Sequence, residues 1–261
     1  MIIVMLAAFG LILGSFVNAL VWRLHEGKNW LNDRSECTHC HHKLAPKDLV
    51  PVFSYLFLQG KCRYCHKKIE DSPWIELGTI ALFLASYFCW PVAFAGAGLF
   101  TFIIWLVMCV GLMALVAFDL KWYLLPNKIV FPLIGLAVVQ VLGVSFLYHG
   151  GVHEIIGAIA GVVIIAGLFY FIFQVSKGTW IGGGDVKLGI ALGLLAGGPL
   201  KSLLLLFVAS VCGIIISAPM LAMGKANRKT QLPFGPFLIL ALVIVQLFGT
   251  PIVDWYTRFA L

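Results

Sequence analysis

The sequence predicts an all-α polytopic membrane protein of about eight transmembrane helices, with a small polar insert after the first. Hydrophobic residues fill 61% of the 261 positions and charged residues only 11%, whereas a soluble domain is roughly half apolar and a quarter charged. Apolar runs of bilayer length recur along the chain, each near the roughly 20 residues that a helix needs to cross the hydrocarbon. The 18 Lys and Arg gather in alternate connections, as they do in multi-pass proteins.

The first run, 2–22, has neither a basic leader nor a small-residue cleavage site after it, so it is expected to be a retained span rather than a signal peptide. An insert of about 50 residues, 23–74, follows. Further apolar runs lie at 75–95, 99–118, 129–148, 155–175, 201–223 and 233–253. A shorter, glycine-dense run at 186–199 is marginal by length, and charge decides for it. With eight spans, nine basic residues of the insert fall on one side (Arg23, Lys28, Arg34, Lys43, Lys47, Lys61, Arg63, Lys67 and Lys68). Lys121, Lys128, Lys177, Lys187, Lys225, Arg228 and Lys229 join them, and only Lys201 and Arg258 lie opposite. Sixteen against two puts the insert in the cytoplasm and both termini outside. The net charge of +7 then follows from topology and attraction to anionic membrane lipids, and calls for no nucleic-acid partner.

The insert carries a metal signature. Cys37-Thr-His-Cys40 and Cys62-Arg-Tyr-Cys65 are two C-x-x-C knuckles, each offering two sulfurs from one tight turn to a tetrahedral four-thiolate zinc site. A pair of disulfides is the competing reading, disfavoured by a reducing cytoplasm and by a segment too small to bury a core, which favours a metal staple. His39, His41, His42 and His66 flank the knuckles and could replace one ligand. The fold class thus becomes an eight-span helical protein with a small cytoplasmic zinc-binding insert after the first helix.

Two acids stand at the cytoplasmic ends of later spans. Asp119 closes the third in L-V-A-F-D-L-K, and Asp185 opens the short one behind Gly182-Gly183-Gly184. An ionisable group within a span costs a few kcal/mol or more and is a functional candidate by default; helix capping at the interface is the bland alternative. Two carboxylates at one depth can share a proton and hydrolyse a peptide, one drawing a proton from water while the other protonates the carbonyl oxygen. Glycines there allow a substrate backbone to approach closely. The helix dipole favours charge on Asp185 at a helix N-terminus and disfavours it on Asp119 at a C-terminus, so Asp185 is expected as the ionised base and Asp119 as the protonated acid. Lys187 lies two residues past Asp185 and either snorkels to lipid heads or contacts substrate. Ser15 and Asn18 share a face of the first helix, and Glu76 enters the second span at similar depth. These three are candidates for a second polar site, or for helix–helix hydrogen bonds.

With these residues in hand the chain resembles the bacterial type IV prepilin peptidases. The resemblance runs through G-S-F-V-N-A-L-V-W-R (Gly14–Arg23), the paired knuckles, and D-L-V-P-V-F-S-Y-L-F-L-Q-G-K-C (Asp48–Cys62). It continues through Asp119 with Leu125-Pro126, G-G-G-D-V-K-L (Gly182–Leu188) and P-F-G-P-F (Pro233–Phe237). It implies an aspartic endopeptidase of the G-x-G-D type, with Asp119 and Asp185 catalytic and Gly182, Gly183, Gly184 and Lys187 at the substrate approach. Its substrates would be type IV prepilins and pseudopilins, cut at the cytoplasmic face of the bacterial inner membrane. It further implies N-methylation of the new N-terminal residue with S-adenosylmethionine, for which Ser15, Asn18 and Glu76 are the candidate pocket. The expected division is a first helix at 1–22, a methyl-transfer-associated insert at 23–74 and a seven-helix peptidase domain at 75–261. One departure is Asn127, where the family usually has aspartate after Leu-Pro. Three other classes are weighed against this reading. An intramembrane protease of the presenilin type would lack the knuckles, a proton-coupled transporter would hold its acids near the midplane, and a non-enzymatic assembly factor would leave the aspartate pair unexplained.

Overall fold

The computed structural model describes residues 1–29, 35–69, 73–223 and 232–260. Arg34, Lys225, Arg228 and Lys229, counted in the charge distribution, lie outside the described residues. Among the described residues the fold is all-helical apart from two isolated antiparallel bridges, Glu36↔Lys43 and Lys61↔Lys68. Among the described residues six helices are long and apolar enough to cross a membrane: α1 (Ile2–His25), α4 (Ala97–Trp122), α5 (Asn127–Leu142) with its π-helical continuation Gly143–Leu147, α6 (Gly151–Ser176), α8 (from Pro199) and α9 (from Gly235). Their outward faces expose large apolar side chains such as Phe171, Phe207 and Ile214, as lipid contact requires. The protein is a multi-pass membrane protein.

Two further helices complete the expected eight. α3 (Trp74–Phe88) has 15 residues and α7 (Gly183–Ala196) has 14, the latter spanning about 21 Å at 1.5 Å per residue. Between α1 and α3 lies one short helix, α2 (Phe53–Phe57), after a 3-10 turn at Pro46–Asp48.

The ends of α3, α4 and α9 differ from the expected runs. α3 stops at Phe88 rather than near 95, because Pro91 disfavours helix at the residue before it. α4 continues to Trp122 and closes on Tyr123 in the left-handed region, φ 56°, so Asp119 sits inside its last turn instead of ending it. α9 runs on to Ala260, past the expected 253.

The described chain forms two compact units. The first comprises Met1–Phe88 with Cys109–Ala117. There α1 lies directly on α3 through Gly10 and Gly14, a small-x-x-x-small face of the kind that lets membrane helices touch backbone to backbone. A Cβ on Gly14 would stand 2.6 Å from Glu76 Cα, and one on Gly10 2.9 Å from Ile80 Cα.

The second unit comprises Cys89–Met108 and Phe118–Leu261. Its centre is α7, packed against α5, α6, α8 and α9, with Leu188, Ala191 and Leu192 buried. Gly161 of α6 and Gly193 of α7 face each other so closely that a Cβ on Gly161 would stand 2.3 Å from the Gly193 carbonyl oxygen. A short helix surrounded on all sides needs small residues at its crossings, which is why glycine and alanine crowd this run.

Candidate functional site

Asp119 and Asp185 come together in the second unit. α7 begins at Gly182, an extended N-cap (φ −75°, ψ 150°), so Asp185 is its third residue. From there the Asp185 carboxylate turns back and accepts the Gly182 N–H at 3.3 Å. Asp119, on the last turn of α4, is 6% exposed. Its Oδ2 accepts the N–H of Gly235, the first residue of α9, at 2.9 Å. Leu125 ties the two halves together: a Cβ on Gly184 would stand 2.9 Å from Leu125 Cβ, and one on Gly235 would stand 3.5 Å from Leu125 Cδ2. The Asp119 carboxylate is near enough to act on Asp185 through its charge.

The three glycines before Asp185 play unequal parts. None has positive φ, so left-handed backbone is not what requires them. Gly184 is needed for the close approach to Leu125, while a Cβ on Gly183 would meet nothing nearer than Phe173 Cε2 at 3.8 Å. Lys187 neither snorkels free nor reaches either aspartate. Its Nζ donates to Asn127 Oδ1 at 3.0 Å and lies 5.9 Å from the Phe131 ring centroid, so Asn127 serves as a neutral partner at the position where the resemblance leads one to expect aspartate.

One expectation gains a second contribution here. Helix ends were expected to separate the two carboxyls, because only Asp185 occupies the N-terminus of its own helix. Gly235 opens α9 and directs its N–H at Asp119, so Asp119 meets the N-terminus of α9 as well as the C-terminal turn of α4, and helix dipoles separate the pair less than the ends of α4 and α7 alone would. Sequence reasoning quoted P-F-G-P-F without giving Gly235 a role; glycine at the mouth of an apolar run, as at Gly184, was the available signal.

The four cysteines of the insert converge in the first unit. Their sulfurs all lie within 4.8 Å of one another, Cys37 and Cys65 Sγ are 3.8 Å apart, and all are free thiols. Tetrahedral coordination with metal–sulfur bonds of about 2.3 Å sets sulfurs about 3.8 Å apart, so the cluster fits a four-thiolate metal ion. The two knuckles are built alike. Cys37 N–H bonds to His42 O as Cys62 N–H bonds to Lys67 O, and His41 N–H returns to Cys37 O as His66 N–H returns to Cys62 O. His41 and His66 both take positive φ, 54° and 57°. The repeat is written in the sequence as C-x-x-C-H-x-K, twice. Burial pushes the Cys37 thiol up, but N–H donors from Cys40 and His39 and the neighbouring thiols outweigh it and bring it down to about 7. The His42 N–H favours the Cys40 thiolate, yet burial and the sulfurs of Cys37 and Cys65 push that thiol up to about 11. Sulfurs this crowded resist becoming thiolates together without a cation among them. Of the flanking histidines, His42 stacks on Tyr64 with ring centroids 3.7 Å apart, and His41 lies 3.7 Å from Glu36.

Ser15, Asn18 and Glu76 line one cavity of about 150 Å³ in the same unit, together with Asp48, Val52 and Tyr55. Glu76, 7% exposed, accepts the Val52 N–H on Oε2 at 2.6 Å. Asn18 is 9% exposed and its Oδ1 is buried with no hydrogen-bond partner among the described residues. An orphaned acceptor on a cavity wall has the character of a ligand contact, so this cavity fits a polar small molecule better than a helix–helix hydrogen bond does. The ion pair of Asp48 with Arg63, Arg63 Nε to Oδ1 at 2.7 Å, was not anticipated; the place of Asp48 at the head of the block Asp48–Cys62 was the available cue.

Comparison with known proteins identifies the family. Residues 8–90 match the Bacterial Peptidase A24 N-terminal domain and residues 106–218 the Type IV leader peptidase family. A prepilin leader peptidase/N-methyltransferase of Bacillus subtilis is 31% identical over 257 residues, covering 97% of both chains. Proteins of that name from Pseudomonas aeruginosa and Xanthomonas campestris are each 30% identical, over 96% and 97% of this chain and 92% and 94% of their own. No solved structure matches the chain significantly. With its two family regions in order and its relatives aligned nearly end to end, the chain belongs to the type IV leader peptidase family.

Proposed function

We propose that the chain is a membrane aspartic endopeptidase. It cleaves the short basic leader of type IV prepilins and pseudopilins at the cytoplasmic face of the bacterial inner membrane, and N-methylates the residue so exposed. The observation that carries the first activity is the meeting of Asp119 and Asp185, each held by one backbone N–H, from Gly235 and Gly182. Two such carboxyls share one proton because like charges at close range disfavour joint ionisation. The ionised one takes a proton from water as the water oxygen attacks the scissile carbonyl, and the other gives its proton to the carbonyl oxygen. Collapse of the resulting diol returns a proton to the amide nitrogen, and the C–N bond breaks. Gly182 and Gly183 leave the approach to Asp185 open for an extended peptide, Gly184 lets the start of α7 close on Leu125, and Lys187 is held beside that approach by Asn127.

The second activity belongs to the cavity of Ser15, Asn18 and Glu76. S-adenosylmethionine, when bound, supplies an electrophilic methyl group. Asn18 Oδ1 offers a buried acceptor to the donor molecule, Ser15 a hydroxyl on the same helix face, and the Glu76 carboxylate takes the proton lost by the peptide amine. Cys37, Cys40, Cys62 and Cys65 hold one structural zinc. Co-expression with a prepilin tests the whole proposal: intact-mass analysis of the pilin should find the leader removed and one methyl group added to the new N-terminus. A pilin recovered with its leader intact would refute it.

A further inference from the structure

Asp48 lies outside both sets of reacting groups, yet its side chain is 2% exposed and three donors converge on it. Arg63 Nε donates to Oδ1 at 2.7 Å, while Tyr64 OH and the Ala45 N–H donate to Oδ2 at 3.2 and 3.3 Å. Burial pushes the Asp48 carboxyl up, but Arg63, the Ala45 N–H and the Tyr64 hydroxyl outweigh it and hold it below the usual carboxylate range. Arg63 and Tyr64 are the two residues between Cys62 and Cys65, so the second knuckle sets their positions. Tyr64 also stacks on His42 beside the first knuckle. Asp48 therefore reads the folded state of both.

The chain leaves Asp48 through Pro51 and reaches Val52 at φ 59°, ψ −50°. A β-branched residue at positive φ is strained and persists only where the surroundings enforce it. This conformation sends the Val52 N–H to Glu76 Oε2 at 2.6 Å. The turn is thus anchored at one end on the knuckles and at the other on the Glu76 carboxylate. Asp48, Val52 and Glu76 line the same cavity.

We propose that Asp48 is a positioning residue for methyl transfer: clamped by Arg63 and Tyr64, it fixes the 48–52 turn so that the Val52 N–H orients Glu76, and so makes that orientation depend on the folded four-cysteine cluster. The proposal rests on the reading of Glu76 given above. Anchoring of this kind acts on the geometry of the proton acceptor rather than on capture of the methyl donor, so it should appear in kcat and not in KM.

The test compares Asp48→Asn, Tyr64→Phe and Glu76→Gln in full-length protein, in four measurements. These are zinc per chain, prepilin cleavage, methylation kinetics on a pre-cleaved peptide, and hydrogen exchange of the segment containing Val52. Asp48→Asn should keep its zinc and its cleavage rate, lose about tenfold or more in methylation kcat with little change in KM for S-adenosylmethionine, and exchange faster at Val52. Tyr64→Phe, which removes one of three donors, should show the same pattern to a smaller degree. Methylation within about twofold of wild type in Asp48→Asn would overturn the proposal. So would loss of zinc together with methylation, a fall in cleavage of equal size, or an effect confined to KM. Wild-type methylation by Glu76→Gln would instead overturn the assignment of Glu76 itself.

Discussion

Replacing Gly235 by alanine adds a single methyl group, and the group it crowds is the Asp119 carboxylate. The new Cβ would stand 2.6 Å from Asp119 Oδ2 and 3.3 Å from its Cγ. An ordinary carbon–oxygen contact is about 3.3 Å or longer, so the carboxylate must retreat by the difference, about 0.7 Å. Productive geometry tolerates about 0.5 Å, and a displacement of about 1 Å costs roughly 10²-fold in rate. The retreat also stretches the 2.9 Å bond from the Gly235 N–H. Hydrogen bonds to charged groups contribute about 1.5–3 kcal/mol, a factor of roughly 10 to 10². These are two views of one displacement, and together they set the expectation at about 10²-fold in the kcat of leader cleavage. Backbone strain does not enter, because Gly235 is not at positive φ and alanine is favourable in a helix. The assay is the initial rate of prepilin cleavage by purified protein, with methylation of a pre-cleaved peptide as internal control, expected within about twofold of wild type. Cleavage by Gly235→Ala at more than half the wild-type rate would refute the claim that this N–H and this close contact place Asp119.

The same close-contact reasoning ranks the glycines before Asp185. Gly184→Ala, pressed to 2.9 Å against Leu125 Cβ, should slow cleavage about tenfold, and Gly183→Ala, 3.8 Å from Phe173, should cleave within about twofold of wild type; the reverse order in a cleavage assay would contradict the packing described. Gly14→Ala would place a methyl 2.6 Å from Glu76 Cα and force α1 from α3, so methylation should fall about tenfold or more with cleavage retained, as separate assays on one preparation would reveal. Metal analysis should find about one zinc per chain, and cysteine substitution should impair methylation more than cleavage. Folded, methylating protein without zinc would refute that. Asn127→Asp should convert the Lys187 contact into an exposed ion pair contributing less than about 1 kcal/mol, leaving cleavage within about twofold of wild type; a large change would mean that Lys187 meets the substrate directly.

Much of this was legible because the bilayer simplifies the reading. Apolar runs and basic loops marked eight helices, and C-x-x-C spacing marked the cysteine cluster, since both signals are local in sequence. Helix ends were less legible. The stop at Phe88 needed Pro91 to be weighed above hydropathy, and the extension of α4 past Asp119 depended on a left-handed cap at Tyr123 that no pattern announces. Long-range partners were not legible at all. Gly235 lies 116 residues from the carboxylate it holds, and Val52 lies 24 from Glu76. Asp48 opens a block that carries the family resemblance, but its clamp was not legible there, because a clamp is a property of several side chains brought together and not of any one of them.

The account stands most directly on the two aspartates, and one measurement tests it: prepilin cleavage by Asp119→Asn and Asp185→Asn, made separately, with methylation of a pre-cleaved peptide followed in the same preparations. Each variant removes one carboxyl from the pair to which the proposed mechanism assigns a single shared proton, so each should lose about 10³-fold or more in cleavage while methylating the pre-cleaved peptide at the wild-type rate. Cleavage retained near the wild-type rate by either variant would contradict the account.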